Sequence, residues 1–208
     1  ILSKNEFSES CIPVVYASFN NLENTKRHLS MNCELRLINS FSELEDSAIN
    51  VLEIDALGAT ITYGKKDKAV GRLAYHCLAQ AVKDLNGRNI DVLVTAPINK
   101  ETVQSKHFSF IGHTDYLNEN IEGSSVMMMV LDSLRVALLT EHLPLSKVTG
   151  FITKKLVESR TKSIHKTLQL DFNIPEPKIA MLSIDPHAGD NGVIGNIDNM
   201  VLAPCIRS

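Results

Sequence analysis

The sequence predicts an α/β fold with a mixed, mainly parallel sheet, and three observations carry that expectation. Runs of strand length, rich in β-branched and apolar residues, alternate along the chain with segments of helical periodicity. The runs at 90–95 and 178–184 are nearly unbroken apolar stretches, the pattern of strands covered on both faces. The composition is that of a globular protein: 44% of the 208 residues are hydrophobic and 22% charged. That length suits one large domain, or one domain plus part of another, with a sizeable buried core.

Taken in order, residues 12–17 form a short β-branched run, read as a strand, and 23–29 read as helix. Residues 70–85 read as a helix with Leu73, Cys77, Leu78 and Ala81 on one face, stopped by Gly87. Two apolar runs, 126–131 and 134–140, flank Asp132-Ser133 and predict a hairpin. Met127, Met128 and Met129 within it are most simply core filler. Residues 153–170 read as an amphipathic helix with Leu156, Val157, Ile164 and Leu168 as its stripe, after which Pro175 and Pro177 break the pattern. No internal repeat or low-complexity segment is present.

Charge narrows the function classes. With 24 acidic and 21 basic side chains the net charge is −3, which argues against a nucleic-acid binder with a broad basic surface. Aromatic content of 5% without Trp argues against stacking on single strands. Cys11, Cys33, Cys77 and Cys205 are far apart and form no C-x-x-C pair, so reduced thiols in a cytoplasmic protein are expected. No apolar run reaches about 18 residues, so no membrane-spanning helix is expected. Residues 1–8 lack the basic-then-apolar pattern of a signal peptide and begin without Met, which points to a fragment.

Three polar clusters directly follow apolar runs: Thr95-Ala96-Pro97-Ile98-Asn99-Lys100, Thr140-Glu141-His142-Leu143-Pro144 and Asp185-Pro186-His187-Ala188-Gly189-Asp190. Open α/β sheets place ligands beyond the carboxyl ends of their strands, so parallel strands would gather these clusters on one edge. His142 and His187 are candidate metal ligands; the competing reading is that each imidazole bonds a loop carbonyl. Gly112-His113-Thr114-Asp115, in a loop region, offers an imidazole and a hydroxyl to a phosphate or carboxylate, or else a turn that caps a helix beginning near Asp115. Lys100 is either a contact for an anionic substrate or a solvated lysine. Gly189, Gly192 and Gly195 are either an anion-binding loop or a surface turn. The other histidines, His28, His76, His107 and His165, read as surface or structural. No G-x-G-x-x-G or G-x-S-x-G occurs. Gly58 to Lys65 fails as a P-loop, because the glycine spacing is wrong and Lys66 stands where Ser or Thr is needed.

Together, and in this order, the three clusters with Gly112-His113-Thr114-Asp115 and Leu134-Arg135-Val136-Ala137-Leu138 resemble the 4-hydroxythreonine-4-phosphate dehydrogenase family of vitamin B6 biosynthesis. The likeness runs from about residue 12 to the end and is strongest over 90–195. It implies an isocitrate/isopropylmalate dehydrogenase-like three-layer α/β/α fold, incomplete in this chain, with residues 1–208 a partial catalytic region. It also implies a cytoplasmic homodimer with active sites at the subunit interface, and no nucleic-acid or membrane partner. The implied activity is oxidation of 4-phosphohydroxy-L-threonine with NAD (or NADP), then loss of CO2 to give 3-amino-2-oxopropyl phosphate.

The resemblance further implies a divalent metal (Zn, Mg or Co) held by three histidines, of which His142 and His187 match the first two. His113 and Thr114 match the substrate-binding pair, and Lys100 is expected near the substrate in a catalytic role. The family's opening glycine-rich loop and its later Tyr-His-Asp-Gln motif, with the third metal histidine, are missing, so most cofactor contacts are not expected in this chain. Asp185 stands where Asn is common, and Asn196-Ile197-Asp198 replaces a typical acidic pair. A partial fold is expected to expose apolar surface. The alternatives are a paralogue acting on another four-carbon acid phosphate, such as 4-phospho-erythronate, and a non-catalytic fragment of the same fold.

Overall fold

The computed structural model describes residues 11–54 and 58–207. The signal-peptide question at residues 1–8 lies outside them. The chain divides into two compact units, one ending at Gly123 and the other beginning at Ser124.

In the first unit, strand β1 (Val14–Ala17), helix α1 (Phe19–His28), strand β2 (Leu35–Ile38) and strand β3 (Ile49–Glu53) build a parallel sheet ordered β1-β3-β2. Val14 pairs with Asn50 and Leu35 with Ile49. The central strand buries Val51 and, less expectedly, Asn50, both at 0% exposure. Asn50 is tolerated because its amide is fully engaged. Nδ2 donates to the carbonyls of Pro13, Glu45 and Ala48, and Oδ1 accepts from the Glu45 N–H at 3.0 Å.

Helix α2 (Lys68–Asn86) starts at Asp67, whose carboxylate accepts the Ala69 N–H. Leu73, Leu78, Ala81 and Val82 are buried, as the periodicity requires. The Cys77 thiol on the same face is pushed up to about 11 by burial, so it stays protonated at neutral pH. Asp84, 5% exposed, ties the helix to β1. It accepts from Tyr16 Oη at 3.1 Å, Gln80 Nε2 at 3.0 Å and Asn89 Nδ2 at 3.1 Å. Burial and the adjacent Asp84 charge hold the Tyr16 phenol well above its ordinary range.

The helix stops where Gly87 predicts, but not through that glycine's freedom. Asn89 N–H bonds Asp84 O at 2.9 Å and Arg88 N–H bonds Leu85 O at 3.1 Å, a Schellman ending. The left-handed residue is Arg88, at φ +57°, whereas Gly87 is right-handed at φ −76°. Arg88→Gly is therefore expected to stabilise the chain by about 0.5–1 kcal/mol, read as a higher urea midpoint at unchanged slope. An unchanged or lower midpoint would contradict this account of the ending.

Helix α3 (His113–Asn120) completes the unit. Its Tyr116 joins Leu78, Val82, Val103 and Phe108 in a core flanked by Leu93, Ile98 and Phe110. The rings of Phe108, Phe110 and Tyr116 pack at centroid distances from 5.2 to 5.4 Å.

The second unit opens with the expected hairpin. Strands β4 (Met128–Leu131) and β5 (Leu134–Ala137) pair antiparallel about Asp132-Ser133, Leu131 opposite Leu134. Helix α4 (Leu145–Phe151) follows, then helix α5 (Lys154–Leu170), where Thr153 Oγ1 accepts the Leu156 N–H at 3.2 Å. Val157 at 0% and Leu168 at 7% exposure confirm the α5 stripe. Ile152, Val157 and Leu202 form this unit's core, and helix α6 (Ala203–Arg207) ends the described chain. Among the described residues no helix is long and apolar enough to cross a membrane.

Three expectations need correction. The runs 90–95 and 178–184 join no ladder among the described residues. Each packs inward in part, through Leu93 in the first core and Met181 and Ile184 in the second. Other side chains are bare: Val92, Val94 and Leu182 are 75%, 88% and 85% exposed. Among the described residues no neighbouring strand supplies the hydrogen bonds that would make a ladder. In place of the single mixed sheet, the strands among the described residues form two sheets, the parallel trio and the antiparallel hairpin. Finally, Met129 is not core filler, since it is 50% exposed on a strand whose next residues, Val130 and Leu131, are exposed as well.

Candidate functional site

Lys100 sits on a built turn. Asn99 Oδ1 accepts the N–H groups of Glu101 and Thr102 at 3.1 and 3.0 Å, and the Asn99 carbonyl accepts the Val103 N–H at 3.1 Å. Ile98 and Val103 hold the turn's two ends in the first core. The turn lies directly against α2 at Gly71, where a Cβ would fall 2.0 Å from the Thr102 carbonyl oxygen. Lys66 engages the neighbouring Glu101 carboxylate. Lys100 itself is exposed and has no ion-pair partner among the described residues.

The lysine stem reaches over the start of α3. A Cβ at Gly112 would lie 3.8 Å from Lys100 Cε. Gly112 is the N-cap of α3, and no side chain caps it. His113 and Thr114 thus occupy the first helical turn, two residues earlier than the helix start near Asp115 that the sequence suggested. Lys100, His113 and Thr114 are brought together at a helix end with positive partial charge, a suitable receptor for an anion. Asp115 is the acidic residue in the first turn of α3 and opposes an anion there.

Desolvation by burial holds the His113 imidazole below its ordinary pKa. The folded chain therefore binds fewer protons there than the unfolded chain once pH falls below about 6.5. Stability from this group is fully present above that pH and declines as pH drops toward the folded pKa. A bound dianion acts oppositely, favouring the imidazolium. An NMR titration of His113 is expected to give a pKa below that of a free imidazole side chain in plain buffer and a rise on adding inorganic phosphate. An unmoved titration would argue against anion binding here.

His142 and His187 lie in the second unit, both exposed, and both have left-handed backbone at φ +54°. Such φ values are uncommon for residues other than Gly, although His, like Asn and Asp, adopts them more readily than most, and they cluster where function imposes them. Glu141, beside His142, has a buried Oε2 with no hydrogen-bond partner among the described residues. In type, two imidazoles and an orphaned carboxylate oxygen fit a divalent metal. Among the described residues, however, no three His, Cys, Asp or Glu side chains come together as a full ligand set. They fit as part of a site.

The shared sheet edge expected for the three clusters is not what carries them. His142 follows an antiparallel strand, and the runs before Lys100 and His187 join no ladder. The glycines after His187 serve internal packing. A Cβ at Gly189 would meet the Gly195 carbonyl oxygen at 2.2 Å, and one at Gly195 would meet Asp185 Oδ2 at 2.0 Å. Sequence reasoning missed the supporting roles of Asn99 and Gly71. The Asx-turn pattern at Asn99 was a readable signal; for Gly71, inside a helix, none was.

In fold, the chain matches α/β dehydrogenases of known structure. It superposes on a crystal structure titled 4-hydroxythreonine-4-phosphate dehydrogenase from Burkholderia phymatum with a TM-score of 0.85 at 26% identity, covering 99% of this chain and 63% of that one. A terephthalate 1,2-cis-dihydrodiol dehydrogenase from Burkholderia xenovorans, at 19% identity and TM-score 0.65, shares the fold alone. The chain belongs to the family described as pyridoxal phosphate biosynthetic protein PdxA, whose model matches residues 9–208. Its relatives include the 4-hydroxythreonine-4-phosphate dehydrogenase of Bacteroides thetaiotaomicron, 34% identical over 96% of this chain and 55% of that protein. The protein of the same name from a Sulfurihydrogenibium species is 34% identical over 94% of this chain and 60% of that one. The chain thus spans between 55% and 60% of the length of these curated relatives.

Proposed function

We propose that the full protein containing this chain oxidises 4-phosphohydroxy-L-threonine with NAD, with decarboxylation to 3-amino-2-oxopropyl phosphate, in pyridoxal phosphate biosynthesis. Family membership supports the reading, and the observation that carries it is Lys100 lying over the uncapped start of α3 beside His113 and Thr114. The substrate is anionic at both ends, through its phosphate and its carboxylate. Lys100 supplies a point charge, the first turn of α3 supplies N–H donors, and the Thr114 hydroxyl donates a directional bond. His113, held neutral by burial, gains a proton as the anion arrives.

His142 and His187 are proposed as two ligands of a divalent cation, with the remaining ligand outside the described residues. When bound, that cation supplies Lewis acidity that lowers the pKa of the substrate hydroxyl, and NAD accepts the hydride. The described residues offer no contacts that we assign to NAD. A cytoplasmic homodimer completes the proposal.

The test is NADH formation by the full-length protein with 4-phosphohydroxy-L-threonine and, in parallel, 4-phospho-erythronate. A kcat/KM clearly higher for the first is expected, since that ratio measures discrimination. Equal or reversed ratios would transfer the assignment to the paralogous substrate. No turnover of either, with metal and NAD present, would end it.

A further inference from the structure

We propose that Asp198 is a positioning residue for His187. For its functional consequence the proposal rests on the metal reading above.

Asp198 is 5% exposed, a carboxylate taken almost wholly out of water. Among the described residues it has no cationic partner; its acceptors meet backbone. Oδ1 accepts the Ile184 N–H at 3.0 Å and Oδ2 accepts the Asp185 N–H at 2.9 Å. Two adjacent N–H groups, both engaged by one side chain, fix the chain direction at the entry to the His187 turn. Charge-assisted bonds of this type are the strong ones, and they also lower the cost of burying the carboxylate.

The turn needs such a clasp. From His187 to Asn191 the backbone is left-handed throughout, at φ +54°, +53°, +79°, +45° and +53°. Only Gly189 among these escapes the usual penalty, about 1–2 kcal/mol for an L-residue and less for Asp or Asn. Internal bonds close the turn: Ala188 N–H to Asp185 O and Ile194 N–H to Gly189 O, each at 3.1 Å. Asp185 is held from both sides, its N–H by Asp198 and its carboxylate against Gly195, where no Cβ fits. Asp198 is itself anchored, since it opens the helical segment Asp198–Leu202, whose Leu202 lies in the core with Val157 and Ile152. A strained turn persists when its surroundings over-determine it, and Asp198 is the group through which the core does so here. Without it the turn relaxes and the His187 imidazole leaves its place.

The experiment compares the full chain with Asp198→Asn, Asp198→Ala and His187→Asn. One readout is amide exchange at Ala188 and Ile194, the donors that close the turn. The other is cobalt(II) affinity with its visible absorption. Asp198→Asn keeps one acceptor but turns an NH2 toward a backbone donor. It should speed exchange at both amides and weaken cobalt binding about tenfold, the usual scale for groups that orient a metal ligand. Asp198→Ala should do more of each.

Unchanged exchange overturns the proposal. So does a cobalt affinity and spectrum unchanged in Asp198→Asn but lost in His187→Asn, because a purely structural carboxylate would lower thermal stability without touching the metal. Cobalt binding indifferent to His187→Asn sinks the metal assignment instead. The exchange rates then decide the clasp by themselves: faster exchange supports it and unchanged exchange overturns it. If Asp198→Ala fails to fold, Asp198→Asn carries the comparison.

Discussion

Replacing His187 by asparagine in the full protein is expected to lower kcat/KM roughly a hundredfold or more, with His142→Asn doing the same. Asparagine is the informative choice because both positions hold φ +54°, a conformation it accepts readily. The backbone then stays put and the loss reports the imidazole. Alanine at either site should be at least as damaging, with some added backbone cost. His28→Ala is the control, since that ring stacks on Tyr63 at a centroid distance of 4.6 Å in the first unit and has no proposed chemical role. Steady-state kinetics with saturating metal and NAD decide the matter. Near-wild-type turnover in either asparagine variant would remove that histidine from the metal site.

Gly71→Ala is the largest structural prediction. The new methyl would fall 2.0 Å from the Thr102 carbonyl oxygen and 2.3 Å from its carbonyl carbon. Backbone cannot swing aside as a side-chain tip can, so either α2 or the Lys100 turn must shift. Overpacking of this kind costs about 3 kcal/mol, against the gain of under 1 kcal/mol that alanine brings to an open helix position. A matching fall in the urea midpoint is expected. Because the displaced turn carries Lys100 away from the α3 start, KM for the anionic substrate should rise along with it. Unchanged stability would mean that the turn does not rest on α2 as described, and unchanged KM would separate Lys100 from substrate binding.

Legibility tracked the range of the interactions involved. Helices α2 and α5 were readable because their buried faces, Leu73-Leu78-Ala81 and Val157-Leu168, repeat at the helical period. The hairpin was readable because two apolar runs meet at a two-residue turn. Strands β2 and β3 were not, because Arg36 and Asn50 interrupt their apolar pattern, and the Asn50 amide is satisfied by the folded-back Glu45 and Ala48 together with the distant Pro13 carbonyl. For 90–95 and 178–184 the pattern suggested covered strands, but neither run joins a ladder among the described residues and Val92, Val94 and Leu182 are exposed. A run of side chains announces that it suits a buried strand, but not whether neighbours will pair with it.

The candidate site divides the same way. In the sequence Lys100, His142 and His187 stood out in polar clusters following apolar runs and His113 and Thr114 in a loop cluster, and the order of the clusters pointed to the family. What holds those groups in place was decided only by tertiary structure: Gly71 against Thr102, Lys100 over Gly112, Asp198 on the N–H groups of Ile184 and Asp185. The physical reason is separation. Amino-acid type and local periodicity are properties of neighbouring residues, so the chain alone determined its α/β class, its main helices and its candidate chemistry. Close backbone approaches and buried carboxylates draw on residues far apart along the chain, and they exist only once the packing brings them together.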